Sequence, residues 1–422
     1  MSDRKMSSLY VYWNESNMWG LLLWRALLAW GLPHRLVRGD EIAKGLLSEK
    51  PPSALIVPGG WAKKKFEALG RAGVKQVRDY VASGGVYLGF CGGAGLGLSG
   101  SSGLGLCPWK RRAFSERTQH FCSGHIFVRT PRPNPLIPDS LPEKPLIPVW
   151  WPARFDPEES NDISVLATYD KPGPDFWVAD LPLASLPREP LKTLETTYGI
   201  QLWPHFMRDR PCIIQGPFGK GKYVLSYAHL ETPDSPDANA WLAQVLAVLA
   251  GVDPVPPEKT KTPAWDLEHL AMRWPDPSLR TTKAVLEELI HQGEDHLLLF
   301  KRNSWLLGWR RGIPGSNINF LYSMVCQAQN LEPLLAANTY WQKHAPAFLE
   351  TLERFRVGLT GYLLAQRLAM TVSESSNAIP EQGLKKQRTA LFGPPMDYGG
   401  LYGEMLTVLD ELIQLLLTDQ PR

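Results

Sequence analysis

The chain has 422 residues, 44% of them hydrophobic, with 45 basic against 42 acidic side chains. That length carries two or more domains, each able to bury a core, and the near-neutral balance excludes a global attraction to nucleic acid or to a membrane surface. Five scattered cysteines do not make a disulfide framework, the N-terminus lacks the apolar core of a signal peptide, and no apolar run is long enough to span a bilayer, so a reducing cytoplasm is expected.

Leu9 to Trp13 is an apolar run of strand length, followed by turn and capping residues at Asn14 to Asn17 and a helix that stops at Gly31. Arg35 to Arg38 reads as a second strand, and Asp40 caps a short helix through Leu47. Ser53 to Val57 is a continuous apolar strand of the kind that a parallel sheet buries on both faces, and it ends in Pro58-Gly59-Gly60. A helix over residues 62–82 stops at Gly84-Gly85, and strand Val86 to Phe90 breaks into Cys91-Gly92-Gly93. Four strands alternating with three helices predict a doubly wound, mainly parallel sheet whose ligands sit at the carboxyl ends of the strands.

Residues 105–200 contain short strand-like runs broken by prolines, expected to form irregular β structure over the sheet. Cys212 to Gln215 and Lys222 to Tyr227 predict a hairpin, and a helix from Asp237 to Ala250 closes at Gly251. The domain boundary is expected near residue 254, with a Pro- and Lys-rich linker over 255–265. Residues 266–422 show helical spacing over Thr282 to Phe300, Asn317 to Asn330, Asn338 to Ala369 and Leu401 to Leu417, predicting an all-α domain that covers the site or docks a protein partner.

Gly89-Phe90-Cys91-Gly92-Gly93 is a G-x-C-x-G sequence at a strand-to-helix corner, the thiol counterpart of the elbow that projects a nucleophile from the top of an α/β sheet. A nucleophile there needs a base, a group to orient the base, and donors for the oxyanion. His229, just past a predicted strand, is the candidate base, and Glu231 is placed to accept from its other ring nitrogen. The amides of Gly59, Gly60 and Gly92 lie at neighbouring strand ends, where an oxyanion would form. Trp61, Trp150 and Trp151 are candidates to line the substrate pocket, with Trp19 beside them.

Pro58-Gly59-Gly60, Gly89 to Gly93 and Gly219 to Glu231 together resemble the class I glutamine amidotransferase-like superfamily, over about residues 8–250. Within it the chain is most similar to the biotin-protein-ligase N-terminal-like group, whose strand-PGG-helix-SGG-strand-elbow order is met at Ala54 to Gly60, Ser83 to Gly85 and Val86 to Gly93. The resemblance implies a flavodoxin-like fold and a Cys-His-Glu triad at Cys91, His229 and Glu231, with Gly59, Gly60 and Gly92 at the oxyanion hole. His229-Leu230-Glu231 keeps the superfamily's spacing without its usual proline. The glycine-rich biotin-binding motif is missing, so this chain is not expected to ligate biotin itself.

Several patterns are weighed as decoys. Gly95 to Gly100 formally matches a dinucleotide fingerprint but follows the fourth strand, and Gly216 to Lys222 has the composition of a phosphate loop but leads into a strand. His120, Cys122 and His125 have metal-ligand types at short spacing without a further ligand cluster, and His291 and His296 lie on different helix faces. Lys63-Lys64-Lys65 and Lys110-Arg111-Arg112 are expected to be solvated. No metal or cofactor is expected. The sequence therefore predicts a cysteine-dependent hydrolase or amidotransferase-like enzyme acting on a small-molecule amide or ester. The alternative is a binding or regulatory module of the same fold.

Overall fold

A computed structural model describes residues 8–112, 122–160, 162–199, 202–372, 381–394 and 397–418. The chain divides into two compact units, one ending at Ala264 and the other starting at Trp265.

The first unit opens with β1 (Leu9–Tyr12), α1 (Asn17–Ala29), β2 (His34–Val37), α2 (Gly39–Ala43), α3 (Leu46–Glu49) and β3 (Ala54–Val57). The helix expected through Leu47 is split in two by Gly45, whose φ of 102° no helical residue adopts. Next come α4 (Ala62–Ala82), β4 (Val86–Phe90) and the short α5 (Gly92–Gly97). Within α4 the backbone breaks at Gly70, at φ 60° and ψ 178°.

Residues 105–200 depart from the expectation. Here β5 (Lys110–Arg112) pairs with β8 (Arg154–Asp156), while β6 (Cys122–Arg129), β7 (Leu146–Trp150), β9 (Ser164–Pro172), β10 (Trp177–Val178) and β11 (Leu181–Pro182) extend the main sheet instead of lying over it. A helix absent from the sequence reading, α6 (Arg188–Tyr198), follows. The hairpin is formed by β12 (Pro211–Phe218) and β13 (Gly221–Ser226), antiparallel with Ile213 opposite Ser226. Then α7 (Pro236–Val245) continues as a π-helical turn to Ala250 and stops at Gly251, where φ is 62°.

The sheet has the order β11-β10-β6-β9-β12-β13-β4-β3-β1-β2, with β7 paired to β6. From β13 through β4, β3 and β1 to β2 every pairing is parallel, and beyond β13 every pairing is antiparallel. The parallel strands β1, β3 and β4 are buried on both faces, as their unbroken apolar sequences require. The chain leaves β1 in one direction to β2 and later in the other to β3, which makes the β1/β3 boundary the topological switch point.

Residues 255–265, read as a linker, are hydrogen-bonded within the first unit up to Ala264. The Trp30 indole donates to Thr260 O and Arg25 to Ala264 O.

The second unit consists of α8 (Pro277–Asp295), β14 (Leu299–Lys301), β15 (Leu307–Trp309), α9 (Gly315–Gln329), α10 (Leu335–Thr371), α11 (Glu381–Phe392) and α12 (Gly400–Thr418). It is helical, as expected, with two corrections: α8 ends at Asp295 and gives way to an antiparallel hairpin, and a further helix, α11, lies between the last two stretches read as helical. Among the described residues no helix is long and apolar enough to cross a membrane.

Candidate active site

β4 is hydrogen-bonded between β3 and β13, so both of its neighbours run parallel to it and its carboxyl end lies inside the parallel region. Cys91 follows directly, at φ 47° and ψ −102°, a conformation that strains any residue with a side chain. The Cys91 N–H donates to Ser226 O at 2.7 Å, and its carbonyl accepts from Gly95 N at 2.9 Å to start α5. The elbow is thus tied to the end of β13 on one side and to its own helix on the other. Cys91 is half-buried, whereas Cys107, Cys122, Cys212 and Cys326 are buried. Burial pushes the Cys122 thiol up to about 12 and the Cys212 thiol well above its ordinary value.

The turn after β13 carries the imidazole. Ser226 Oγ donates to Ala228 O at 2.7 Å, the His229 N–H donates to Pro148 O at 2.9 Å, and Thr232 N returns to His229 O at 3.1 Å. His229 Nδ1 and Glu231 Oε1 are 2.7 Å apart, and neither residue has measurable exposure. The contact fixes the proton on Nδ1 and leaves Nε2 for the sulfur. Burial alone would push the imidazole down. The Glu231 carboxylate and the neighbouring Cys91 sulfur outweigh it and carry the group up to about 10. Among the described residues His229 Nε2 has no hydrogen-bond partner, and the Cys91 sulfur is the neighbour that, with Glu231, favours the imidazolium form.

The glycine loops meet the same point. A Cβ on Gly59 would lie 2.8 Å from His229 Cε1, and one on Gly92 would lie 1.9 Å from Gly60 O, so the loop after β3 touches both the base and the elbow. Gly60 has φ 114° and packs against Glu15 O, in the loop after β1. Among the described residues no backbone carbonyl accepts from Gly59 N or Gly60 N, and Gly92 opens α5, where first-turn amides lack intrahelical acceptors. Cys91, His229, Glu231, Gly59, Gly60 and Gly92 are therefore brought together.

The tryptophans divide. Trp19, on α1, packs its ring 4.6 Å from the His229 ring, and half-buried Trp151 lies 6.2 Å from Trp19. Trp150 is 2% exposed and donates to Thr232 Oγ1 at 3.1 Å, which places it under the turn as a support. Trp61 is half-buried at the N-cap of α4, directly after Gly60. Of the four tryptophans, Trp19 is the one whose ring packs on His229, and its signal in the sequence is its place in the first turn of the helix after β1.

Two further residues depart from or escape the sequence reading. Lys65, expected on a solvated face, has no exposure; its Nζ donates to Asn14 O at 2.8 Å and Ser16 Oγ at 2.6 Å, behind Gly60. Asn239, on α7, is also wholly buried and donates to Leu230 O and Thr232 O. By contrast Lys110 and Arg112 are solvated, paired with Glu158 and Asp156. His120 lies outside the described residues. His125 is engaged by Asp175 Oδ2 at 2.7 Å and Ser235 Oγ at 2.8 Å, and among the described residues no group of three metal-ligating side chains converges.

Residues 43–101 match the family model described as biotin-protein ligase, N terminal. That stretch spans the Gly59-Gly60 loop and the Cys91 elbow. No curated protein matches the chain. Among solved structures the chain is similar to a GMP synthase component from Thermoplasma acidophilum, at 12% identity and a TM-score of 0.38, covering 58% of this chain and 95% of that one. It is similar to a ThuA-like protein from Bacteroides uniformis at 12% identity and a TM-score of 0.36, covering 59% and 95%. It is also similar to a glutamine amidotransferase from Thermotoga maritima at 11% identity and a TM-score of 0.30, covering 59% and 86%.

Proposed function

We propose that the first unit is a cysteine-dependent hydrolase or amidotransferase-like catalyst acting on a small-molecule amide or ester carbonyl. The observation that carries this reading is the wholly buried His229–Glu231 pair beside a cysteine held at a positive-φ elbow. In the reaction the Cys91 proton resides on His229 Nε2, the thiolate sulfur attacks the carbonyl carbon, and the electron pair of the C=O bond moves to oxygen. The amides of Gly59, Gly60 and Gly92 are the candidate donors to that oxyanion. Collapse of the adduct breaks the bond to the leaving amine or alkoxide, which takes the proton from His229 Nε2. Water then attacks the thioester and gives its proton to His229, releasing the acid and the Cys91 sulfur and restoring the thiolate–imidazolium pair. Glu231 holds the imidazole in the productive tautomer throughout.

Five free thiols suit a reducing compartment, and the helical second unit is the segment proposed to meet a protein partner. A second reading, binding without turnover, draws on the lack of a hydrogen bond at His229 Nε2 among the described residues.

Alkylation separates them. Iodoacetamide at neutral pH should label Cys91 at least about tenfold faster than an unperturbed thiol, and His229→Asn should abolish the difference. A Cys91 rate equal to that of a free thiol would sink the catalytic reading and leave the binding one.

A further inference from the structure

The side chain of Glu231 has one polar partner, His229 Nδ1, while its Oε2 has none among the described residues. The placement of the carboxylate therefore depends on the backbone of its turn, and beside the bonds of His229 N to Pro148 O and of Thr232 N to His229 O, one side chain binds that backbone on both sides of Glu231. Asn239 Nδ2 donates to Leu230 O at 2.9 Å and to Thr232 O at 2.9 Å, the carbonyls on either side of Glu231. Its Oδ1 accepts from Thr262 N at 3.0 Å and from Thr262 Oγ1 at 2.9 Å. Both donors and both acceptor sites of the amide are used. The orientation is fixed as well, since reversing the amide would set its oxygen against two carbonyls and its NH₂ against an N–H.

Thr262 belongs to the stretch that leads to the second unit, and this stretch grips the same turn again. Asp234 N donates to Thr262 O at 3.1 Å, and Lys261 Nζ lies 2.5 Å from Asp234 Oδ1. Arg25 of α1 and Trp30 at its C-terminal end also hold it, at Ala264 O and Thr260 O. Asn239 is thus the joint between the His229–Glu231 turn and the connecting segment.

We propose that Asn239 is the positioning residue of the His229–Glu231 pair, and that Thr262 sets Asn239 in turn. The inference rests on the reading of Cys91, His229 and Glu231 as one chemical group. Asn239 touches no reacting atom; it acts by holding the two carbonyls that define where the Glu231 carboxylate meets the ring. Through Thr262 the connecting segment then bears on the charge state of an imidazole it never contacts.

Asn239→Asp tests this in the full-length chain, because it keeps the shape and the Thr262 bonds but replaces two donors with a carboxylate oxygen facing two carbonyls. Two quantities are read: the titration of the isotope-labelled His229 ring by NMR, and the rate of Cys91 alkylation by iodoacetamide across pH. The expected result is a His229 midpoint displaced from its wild-type value and an alkylation rate at neutral pH reduced about tenfold; because a new carboxylate by itself raises an imidazole, the direction of the displacement is read from the uncharged Thr262 variant. Thr262→Val, which adds no charge, should move the His229 midpoint to lower pH and cut the alkylation rate about threefold, and should add little to the rate loss of Asn239→Asp. Thr262→Ser, which restores the hydroxyl, should recover the wild-type values.

A folded Asn239→Asp protein with lowered thermal stability but unchanged His229 titration and Cys91 rate would overturn the proposal, since a structural role moves stability alone. Should Asn239→Asp fail to fold, the Val and Ser variants of Thr262 decide on the same two readouts. Ordinary reactivity of Cys91 in the wild-type chain would instead defeat the catalytic reading, and the His229 titration still decides the positioning role on its own.

Discussion

The imidazole of His229 sits between opposed pressures. Burial disfavours its charge, and the Glu231 carboxylate 2.7 Å away, with the Cys91 sulfur, more than restores it. Its pKa in the folded chain is raised to about 10, against about 6.5 in an unfolded chain. A raised folded value means that protonation stabilises the fold fully below the unfolded pKa, and that this contribution is lost as pH rises through about 10. Denaturant titrations of the wild type should therefore show stability falling as pH climbs toward that value. In Glu231→Gln the carboxylate is gone and burial dominates, so the imidazole should titrate below its ordinary value and the alkaline loss should shrink. Equal alkaline losses in the two proteins would contradict the assignment. At Gly92 the constraint is steric, because a methyl group would lie 1.9 Å from Gly60 O, which is backbone and has no room to move. Gly92→Ala should destabilise the first unit by about 1–3 kcal/mol, and more if the elbow cannot shift. It should also slow Cys91 alkylation, and a variant that kept both stability and rate would show that the two loops are not in fixed contact.

At the level of elements, α4 contains a cleaner test of backbone strain. Gly70 breaks the helix at φ 60° and ψ 178°, yet a Cβ there would meet nothing within 4 Å. Gly70→Ala isolates the conformational cost from packing and should destabilise by about 1–3 kcal/mol. If thermal melts show it neutral or stabilising, the helix runs through Gly70 in solution. The sequence predicts one unbroken helix over residues 62–82 because the helical spacing of Phe66, Leu69, Val74, Val77 and Val81 survives a local break. The parallel strands are legible for a related reason. Ala54–Val57 and Val86–Phe90 are short, apolar but for Gly89 and ended by glycine turns, so local sequence alone specifies them. The added strands β6, β7, β9, β10 and β11 are not placed by sequence, since their polar and proline-rich segments owe their position to pairing with distant strands such as β9 with β12. The same division holds within the candidate site. Cys91, the glycine loops and the His229-Leu230-Glu231 turn are local motifs and are readable. Lys65 and Asn239 are not, because each is recruited by backbone carbonyls from elsewhere in the chain: Asn14 O for Lys65, and Leu230 O and Thr232 O for Asn239.

For the molecule as a whole, each unit has its own core and its own polar hub. In the second unit the hub is Asp276, 8% exposed and N-cap of α8. Its Oδ1 accepts from Ser278 N and Leu279 N, and from the indole of Trp341 at 2.9 Å, while Oδ2 accepts from Gln342 at 3.1 Å. One carboxylate thus caps α8 and pins α10 to it through a wholly buried tryptophan. Asp276→Ala removes the cap, worth about 1 kcal/mol, and leaves the Trp341 N–H buried without its acceptor, at about 1–3 kcal/mol. Asp276→Asn keeps oxygen for the cap but puts an NH₂ group near donors, and should fall between. Hydrogen exchange locates the effect. Amides of α8 and α10 should lose protection in Asp276→Ala, whereas those of β3, β4 and β13, which belong to the other core, should keep theirs. Parallel loss of protection in both sets would mean that the two cores unfold as one cooperative unit, and the division at residue 264 would then describe the contacts but not the folding.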